Sequence, residues 1–186
     1  MKIKEYAKIN KIPIIKDEGL EFIKSFINEK KIESILEIGT AIGYSALKLA
    51  DCESVNKVVT LEKDKDLYQI AKQNCKGNNK IKLVLADALI YKTTQKFDLL
   101  FIDGAKSQYL NFFNRYFDNV KYVICDNLDF HGLVYNPDLT NNRNTKQLVK
   151  KIVKFKHEML DNPELDCQYF SFGDGLLVVK RKCSVL

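Results

Sequence analysis

The apolar residues of this chain occur in short continuous runs that alternate with segments of helical spacing. The runs predict strands at 34–38, 58–62, 81–85, 97–102 and 122–125, and the segments between them predict helices at 44–50, 66–74 and 110–117. A further helix is predicted before the first strand, where Leu20, Ile23 and Ile27 share one face. Strands that are apolar along their whole length are typical of a parallel sheet covered by helices on both faces.

The two ends of the chain depart from this alternation. Residues 12–15 are predicted to be extended, because a residue before proline avoids the helical conformation, and no element is predicted before them. Near the other end, a polar loop at 136–143 and a helix at 145–160 precede two strands at 167–172 and 176–180. The strands are joined through Gly173-Asp174-Gly175, which predicts an antiparallel hairpin. We therefore expect an α/β fold whose mostly parallel, seven-stranded sheet ends in an antiparallel hairpin.

A glycine-bearing turn follows the first predicted strand. Glu37 stands near the end of that strand, Gly39 and Gly43 lie in the turn, and Ser45 stands at the start of the next helix. The second strand ends on Glu62, whose carboxylate can accept hydrogen bonds from both hydroxyls of a ribose. Together these features predict a site for an adenosine-containing cofactor. An ordinary strand–turn–helix junction, which also needs small residues for close packing, is the alternative for the turn.

The spacing of the glycines narrows the choice of cofactor. Glu37-x-Gly39-x-x-x-Gly43 is not the G-x-G-x-x-G pattern that binds a dinucleotide pyrophosphate, so an NAD-dependent dehydrogenase is disfavoured. A glutamate beside the turn instead suits a cofactor with a positive charge and an ammonium group, and S-adenosylmethionine carries both. Ser45 and the first amides of its helix could hold the carboxylate of that cofactor.

Length and composition favour a single domain over residues 1–186. With 186 residues, of which 46% are hydrophobic, the chain can bury one substantial core. No apolar run is long enough to span a membrane and no signal peptide is recognisable, so we expect no membrane partner and a cytoplasmic protein. The five scattered cysteines form no zinc-binding pattern and are expected to be free thiols.

The net charge of +6 leaves two interpretations open. A basic surface favours nucleic-acid binding, because neutralising phosphates supplies most non-specific affinity. Only three of the thirty basic residues are arginine, however, so the lysine excess also fits a compositional bias on a solvated surface.

Polar side chains follow two neighbouring strands of the predicted sheet. Asp103 and Lys106 come after the strand at 97–102, while Asp126 and Asn127 follow the strand at 122–125. The carboxyl ends of parallel strands meet at one edge of the sheet, where ligands bind. Two carboxylates and an amide oxygen suit a hard cation such as Mg²⁺. The alternative is that these residues only cap the turns that follow them.

These motifs resemble those of the metal-dependent O-methyltransferases related to catechol and caffeoyl-CoA methyltransferases, which have a class I Rossmann-like methyltransferase fold. The resemblance covers nearly the whole chain, and its motifs are at 36–45, 62, 87–88, 101–106, 109 and 126–127. It implies S-adenosylmethionine as methyl donor, Mg²⁺ or another hard divalent cation, and, as relatives commonly show, a homodimer.

The same resemblance implies a role for each matched residue. Asp103, Asp126 and Asn127 would bind the metal, and Lys106, with Asp103, would act on the reacting hydroxyl. The expected contacts of the methyl donor are Ile15, Glu37, Gly39, Ser45, Glu62, Asp87, Ala88 and Asp103.

Further segments resemble the bacterial branch that methylates 5-hydroxyuridine at the wobble position of transfer RNA, giving 5-methoxyuridine. They are at 5–8, 12–18, 130–134, 142–149 and 173–176. This resemblance implies tRNA as the partner, with Arg143 and Lys146 as candidate substrate contacts. The lysines that could support a basic approach to the site are Lys146, Lys150, Lys151, Lys154 and Lys156. The alternatives are a small catechol-like or phenolic acyl-CoA substrate, and a non-catalytic nucleic-acid-binding module on this scaffold.

Overall fold

Seven strands form one sheet at the centre of the computed structural model, which describes residues 2–182. The strands are β1 (Ser34–Ile38), β2 (Lys57–Glu62), β3 (Ile81–Leu85), β4 (Phe97–Ile102), β5 (Val120–Cys125), β6 (Leu165–Phe170) and β7 (Leu176–Arg181). Their order across the sheet is β3-β2-β1-β4-β5-β7-β6. The strands from β3 to β5 are parallel, whereas β7 is antiparallel to both β5 and β6. The predicted fold class, including the closing hairpin, is confirmed.

Helices cover both faces of the sheet. They are α1 (Ile3–Ile9), α2 (Asp17–Lys30), α3 (Tyr44–Ala50), α4 (Lys65–Asn74), α5 (Tyr109–Tyr116) and α6 (Arg143–Leu160). Apolar side chains of α2 and α3 pack on one face, while aromatic residues of α5 and the apolar stripe of α6 pack on the other. Burial on both sides explains why β1, β2 and β4 are apolar almost throughout. Within residues 2–182, no helix has the length and apolar character needed to cross a membrane.

Several elements differ from the sequence-based expectations: β5 and α6 each begin two residues earlier than predicted, and two further differences have a clear physical reason. The first is α1, in a segment for which no element was predicted: with seven residues and only Ala7 buried, it has too little apolar periodicity to be recognised. The second is β6, which ends at Phe170 rather than at residue 172, because Phe170 already pairs with Leu176 across the hairpin. The residues between them form the turn.

Burial also differs along the sheet. The third strand was expected to be covered on both faces, but β3 lies at the sheet edge and has both partly buried and exposed positions, with Lys82 and Leu85 exposed.

The described cysteines are free thiols, as predicted. They are Cys52, Cys75, Cys125 and Cys167, and Cys183 lies outside the described residues.

Gly39 allows two loops of the sheet edge to touch. Its φ of +99° is in the left-handed region, and a Cβ atom built at this position would lie 2.5 Å from the backbone oxygen of Asp103. Gly39 also donates its N–H to the carbonyl of Leu61 (3.0 Å), which ties the turn after β1 to the end of β2. Any side chain at this position would push the loop after β1 away from the loop after β4.

Substitution of Gly39 by alanine tests the importance of this contact. Gly77→Ala is a matched control, because Gly77 also has a positive φ (+86°) but a Cβ atom at that position would meet no other atom within 4 Å. We expect Gly77→Ala to lower the free energy of unfolding by about 1–2 kcal/mol through left-handed strain alone. Gly39→Ala should cost a further 1–3 kcal/mol, approximately, through overpacking. Equal losses in urea unfolding would contradict the importance of the contact.

Candidate active site

A cavity of about 270 Å³ opens at the carboxyl edge of β1, β2 and β4. We refer to it as the main cavity. Most of the sequence-predicted site residues line it: Ile15, Gly39, Ser45, Glu62, Asp87, Ala88, Asp103, Lys106 and Asn127. Glu37, Asp126, Arg143 and Lys146 do not line it. The structure therefore brings the expected donor-binding and reaction-site residues together around one space.

The carboxylate of Glu62 is held in place by the backbone around it. Its Oε2 accepts a hydrogen bond from the amide of Ala41 (2.8 Å), in the turn after β1. Its Oε1 accepts from the amides of Lys63 and Asp64, both at 2.9 Å. These bonds fix an acidic group at the wall of the main cavity, where the sequence predicts a contact with ribose hydroxyls.

Glu37 is fully buried and reaches the main cavity only through other side chains. Its Oε2 accepts a hydrogen bond from the Thr60 hydroxyl, which also bonds the hydroxyl of Thr40, a residue that lines the cavity. Its Oε1 has no hydrogen-bond partner in the structure, and the Ser45 hydroxyl is close without reaching hydrogen-bond geometry. The predicted direct donor contact is thus replaced by a buried carboxylate with one free acceptor. This orphaned oxygen fits a cationic ligand group bound nearby.

The turn after β3 and an apolar wall also line the main cavity. Asp87 Oδ1 accepts from the amide of Leu89 (2.8 Å), which fixes the turn after β3, and the carbonyl of Ala88 accepts from the hydroxyl of Tyr116 (2.6 Å). Pro13 and Ile14, beside Ile15, form an apolar wall. This segment is extended as predicted, and Pro13 and Ile14 join Ile15, the one residue expected here, in lining the cavity.

Asp103, Asp126 and Asn127 meet at the ends of β4 and β5. The Asn127 side-chain amide donates to Asp103 Oδ1 (2.9 Å), and the Asn127 backbone amide donates to Asp126 Oδ1 (2.7 Å). Asn127 adopts a left-handed φ of +64°, which is uncommon outside glycine. We call these three residues the carboxylate corner.

The carboxylate corner concentrates negative charge in a buried place. Burial raises the pKa of Asp103, and the neighbouring Asp126 carboxylate raises it further, while Lys106 opposes the rise. Burial also raises the pKa of Asp126, and there the Asn127 amide and Lys106 oppose it. Lys106 lines the main cavity together with Asp103 and Asn127.

Tyr109, expected from the sequence only as one of the positions that carry the family resemblance, positions this corner. Its ring is almost completely buried, in an edge-to-face contact with Phe155 of α6, and its hydroxyl donates to the backbone carbonyl of Asp126 (2.8 Å). The tyrosine thereby joins α5 and α6 to the backbone that precedes Asn127. The predicted helix began only at residue 110, so the sequence pattern showed neither the place of Tyr109 on this helix nor its hydrogen-bond partner.

The predicted substrate residues lie apart from this geometry. Arg143 is exposed at the first position of α6, and Lys146 pairs with Asp138 (3.2 Å). Lys156 does not belong to an exposed basic face, contrary to expectation: it lies 3.5 Å from the ring centroid of Tyr169 and 3.8 Å from Asp129 Oδ1. Burial lowers the pKa of Lys156.

Comparison with known proteins identifies the family. A sequence model of the O-methyltransferase family matches residues 2–182, nearly the whole chain. The chain belongs to the O-methyltransferase family. Its fold, its main cavity and this match make it an S-adenosylmethionine-dependent O-methyltransferase.

Relatives of this O-methyltransferase include plant and bacterial proteins. Caffeoyl-CoA O-methyltransferase of Zinnia elegans is 25% identical over 181 residues, which cover 89% of this chain and 74% of the plant protein. A Staphylococcus aureus protein provisionally named a caffeoyl-CoA O-methyltransferase is 32% identical, with a TM-score of 0.91, over 97% of this chain and 90% of its own. The Podospora anserina methyltransferase PaMTH1, solved with S-adenosylhomocysteine bound, shares the fold at 23% identity, 89% and 78% coverage and a TM-score of 0.78.

Glu37 should make the stability of the O-methyltransferase depend on pH. Burial raises its pKa from 4.5 to about 7, so the folded protein holds a proton that the unfolded chain has lost between these values. Stability should fall as pH rises through this window, by up to about 3 kcal/mol without cofactor. In urea unfolding from pH 4.5 to 8, Glu37→Gln should lose less stability than the unmodified protein, whereas exposed Glu29→Gln should not differ from it. Parallel curves for all three proteins would contradict the assignment.

Tyr109→Phe should impair catalysis more than cofactor binding. The change keeps the ring but leaves the Asp126 carbonyl without its donor, which costs about 1–2 kcal/mol of stability. Tyr116→Phe is a matched control, because its equally buried hydroxyl serves the carbonyl of Ala88 instead. We expect Tyr109→Phe to lower kcat with little change in KM for S-adenosylmethionine, and Tyr116→Phe to raise that KM. The reverse pattern would refute the positioning role of Tyr109.

Proposed function

We propose that this O-methyltransferase methylates O5 of 5-hydroxyuridine at the wobble position of tRNA, giving 5-methoxyuridine, with a divalent cation bound at the carboxylate corner. The observation that carries the proposal is the meeting of Asp103, Lys106 and Asn127 in the cavity that also contains Gly39 and Glu62. Support for tRNA comes from the segments that resemble the tRNA-modifying branch and from the net charge of +6.

The carboxylate corner fits a hard divalent cation. Its donors would be the carboxylates of Asp103 and Asp126 and the amide oxygen of Asn127, a set typical of Mg²⁺. The amide nitrogen of Asn127 now faces Asp103, and a half-turn about the last side-chain bond would direct the oxygen there instead. Within residues 2–182 no cluster of three His, Cys, Asp or Glu ligands occurs, so asparagine is an essential member of the set. Mutual repulsion of the two buried carboxylates favours a cation between them.

The residues that line the main cavity have separate roles in the proposed reaction. When bound, the cation lowers the pKa of the hydroxyl to be methylated. Lys106, which lines the same cavity as Asp103 and Asn127, accepts or relays the hydroxyl proton at its Nζ. Gly39, Ser45 and Glu62 orient the donor so that its methyl group faces the carboxylate corner, and this alignment supplies much of the acceleration.

A phenolic acyl-CoA substrate is the second candidate. It is favoured by the Zinnia elegans and Staphylococcus aureus relatives, whose names refer to caffeoyl-CoA. The carboxylate corner alone does not separate the two candidates, because a catechol and 5-hydroxyuridine both offer two adjacent oxygens. The third possibility, a non-catalytic nucleic-acid-binding module, would require that the protein fail to bind S-adenosylmethionine in calorimetry.

Substrate and metal can be tested in one assay. Purified protein is incubated with S-adenosylmethionine, Mg²⁺ and tRNA containing 5-hydroxyuridine, and the nucleosides are analysed by mass spectrometry with and without EDTA. We expect 5-methoxyuridine only without EDTA. Methylation of caffeoyl-CoA with none of tRNA would replace the proposed substrate by the second candidate.

The variant Asp126→Asn tests the carboxylate corner. It keeps the shape of the side chain but removes a charge, and we expect kcat to fall by roughly a hundredfold or more with the fold intact. Asp51→Asn, at an exposed carboxylate that pairs with Lys48 (3.7 Å), should retain full activity. Unchanged activity of Asp126→Asn, over a range of Mg²⁺ concentrations, would exclude the metal mechanism.

A further inference from the structure

A second cavity, of about 700 Å³, lies at the edge of the sheet opposite the main cavity. Its lining includes Lys82 on β3, Lys92 in the loop before β4, and Arg115 on α5. None of its lining residues carries a carboxylate. We call it the basic cavity.

More cations surround the basic cavity at the same edge. Lys57 donates to Gln95 Oε1 (3.0 Å), and Gln95 lines the cavity. Lys96 donates to the backbone carbonyl of Asp118 (2.6 Å), while the Asp118 carboxylate pairs with Arg181. Asp118, which is adjacent in sequence to the lining residue Asn119, is thus already paired, and the cavity keeps three cationic lining residues and no acidic one.

The basic cavity connects to the main cavity along α5. A depression of about 470 Å³ lies between them and is lined by Leu89, Asn111, Asn114 and Arg115. Leu89 also lines the main cavity, and Arg115 also lines the basic cavity. The eight residues of α5 lead from the carboxyl edge of the sheet back to its opposite edge, a distance of about 12 Å. We call this continuous surface the α5 track.

Hydrogen bonds hold the Arg115 side chain in place but leave some of its N–H donors free. Its Nε and Nη2 donate to the carbonyl of Tyr91 at 3.0 and 2.8 Å, and its guanidinium lies 5.8 Å from the ring centroid of Tyr116. A guanidinium has five N–H donors, so the unused ones remain for an anion. Asn111 already donates one side-chain N–H to Gln108 Oε1 (2.6 Å), so its second N–H and the side-chain amide of Asn114 can add neutral donors along the α5 track.

The lysines of α6 form a weaker anion-binding surface. Three of the five are close to carboxylates: Lys146 to Asp138 (3.2 Å), Lys154 to Glu158 (3.6 Å) and Lys156 to Asp129 (3.8 Å). Only Lys150 and Lys151 remain among the α6 lysines considered. The basic cavity, lined without any carboxylate, therefore carries more of the charge complementarity to phosphates.

We propose that the α5 track and the basic cavity bind the ribose-phosphate backbone of the RNA substrate while its reacting base occupies the carboxylate corner. This inference rests on the proposed function, since it assigns the route by which tRNA approaches the main cavity. Lys82, Lys92 and Arg115 contact phosphates, which fixes the register of the RNA without reading its sequence. Asn111 and Asn114 hydrogen-bond the backbone between the two cavities.

The test compares two pairs of exposed lysines. The full-length protein with S-adenosylmethionine is titrated with tRNA containing 5-hydroxyuridine, over a range of salt concentrations. We expect Lys82→Ala/Lys92→Ala to weaken binding about tenfold or more at 0.1 M salt, and to reduce the slope of log K against log salt by roughly 1.4 to 1.8. The matched control, Lys150→Ala/Lys151→Ala on α6, should bind nearly as well as the unmodified protein. An equal or greater loss in the control would overturn the inference.

A second titration separates RNA phosphates from those of an acyl-CoA. Coenzyme A is used as the probe, and Lys82→Ala/Lys92→Ala should bind it as the unmodified protein does. A loss of coenzyme A binding in this variant, with tRNA binding unchanged, would overturn the RNA assignment.

The failure of this inference and that of the proposed function give different results. If tRNA is methylated but Lys82→Ala/Lys92→Ala binds and methylates it normally, the α5 track is wrong and the proposed function stands. A different result is that the unmodified protein and the α6 control bind tRNA without methylating it, while Lys82→Ala/Lys92→Ala does not bind it. In that case the proposed function is wrong, and the α5 track is still an RNA-binding surface.

Discussion

The contact between Gly39 and the backbone of Asp103 determines the geometry of the whole sheet edge. It lets the turn after β1 and the loop after β4 pack directly on one another. Glycine has only a hydrogen atom in place of a side chain, and the Cβ atom of any other residue would collide with the Asp103 backbone. One loop belongs to the expected donor-binding turn and the other supplies Asp103 and Lys106. The two loops are thus parts of one packed unit, and their separation is set by backbone contact rather than by flexible side chains.

The carboxylate corner combines buried charge with an uncommon backbone conformation. It combines two buried carboxylates, whose pKa values rise because burial penalises their charged forms, with the left-handed backbone of Asn127. Tyr109 holds the preceding carbonyl in place from α5. Strain and charge of this kind persist only where the surrounding structure enforces them, and they are typical of functional sites.

The sequence was informative where burial leaves a periodic signal. The limits of β1, β3, β4 and α3 agree with the prediction, because apolar runs and the glycine turn define them locally. It was less informative where a side chain's role depends on distant partners. Glu37 was expected to touch the donor, but the structure buries it behind Thr40, and no local pattern reports such depth. Lys156 counted as surface charge in the sequence, yet Tyr169 and Asp129, far from it along the chain, partly bury it.

The edge position of β3 has a consequence beyond substrate binding. An edge strand exposes unpaired backbone groups to which strands of other molecules can add, and the apolar side chains of β3 would favour such aggregation. The exposed Lys82 places a charge at the second position of this strand, and natural proteins often have lysine on edge strands as a gatekeeper against edge-to-edge pairing. The charge of Lys82 therefore favours colloidal solubility, whatever else this residue binds.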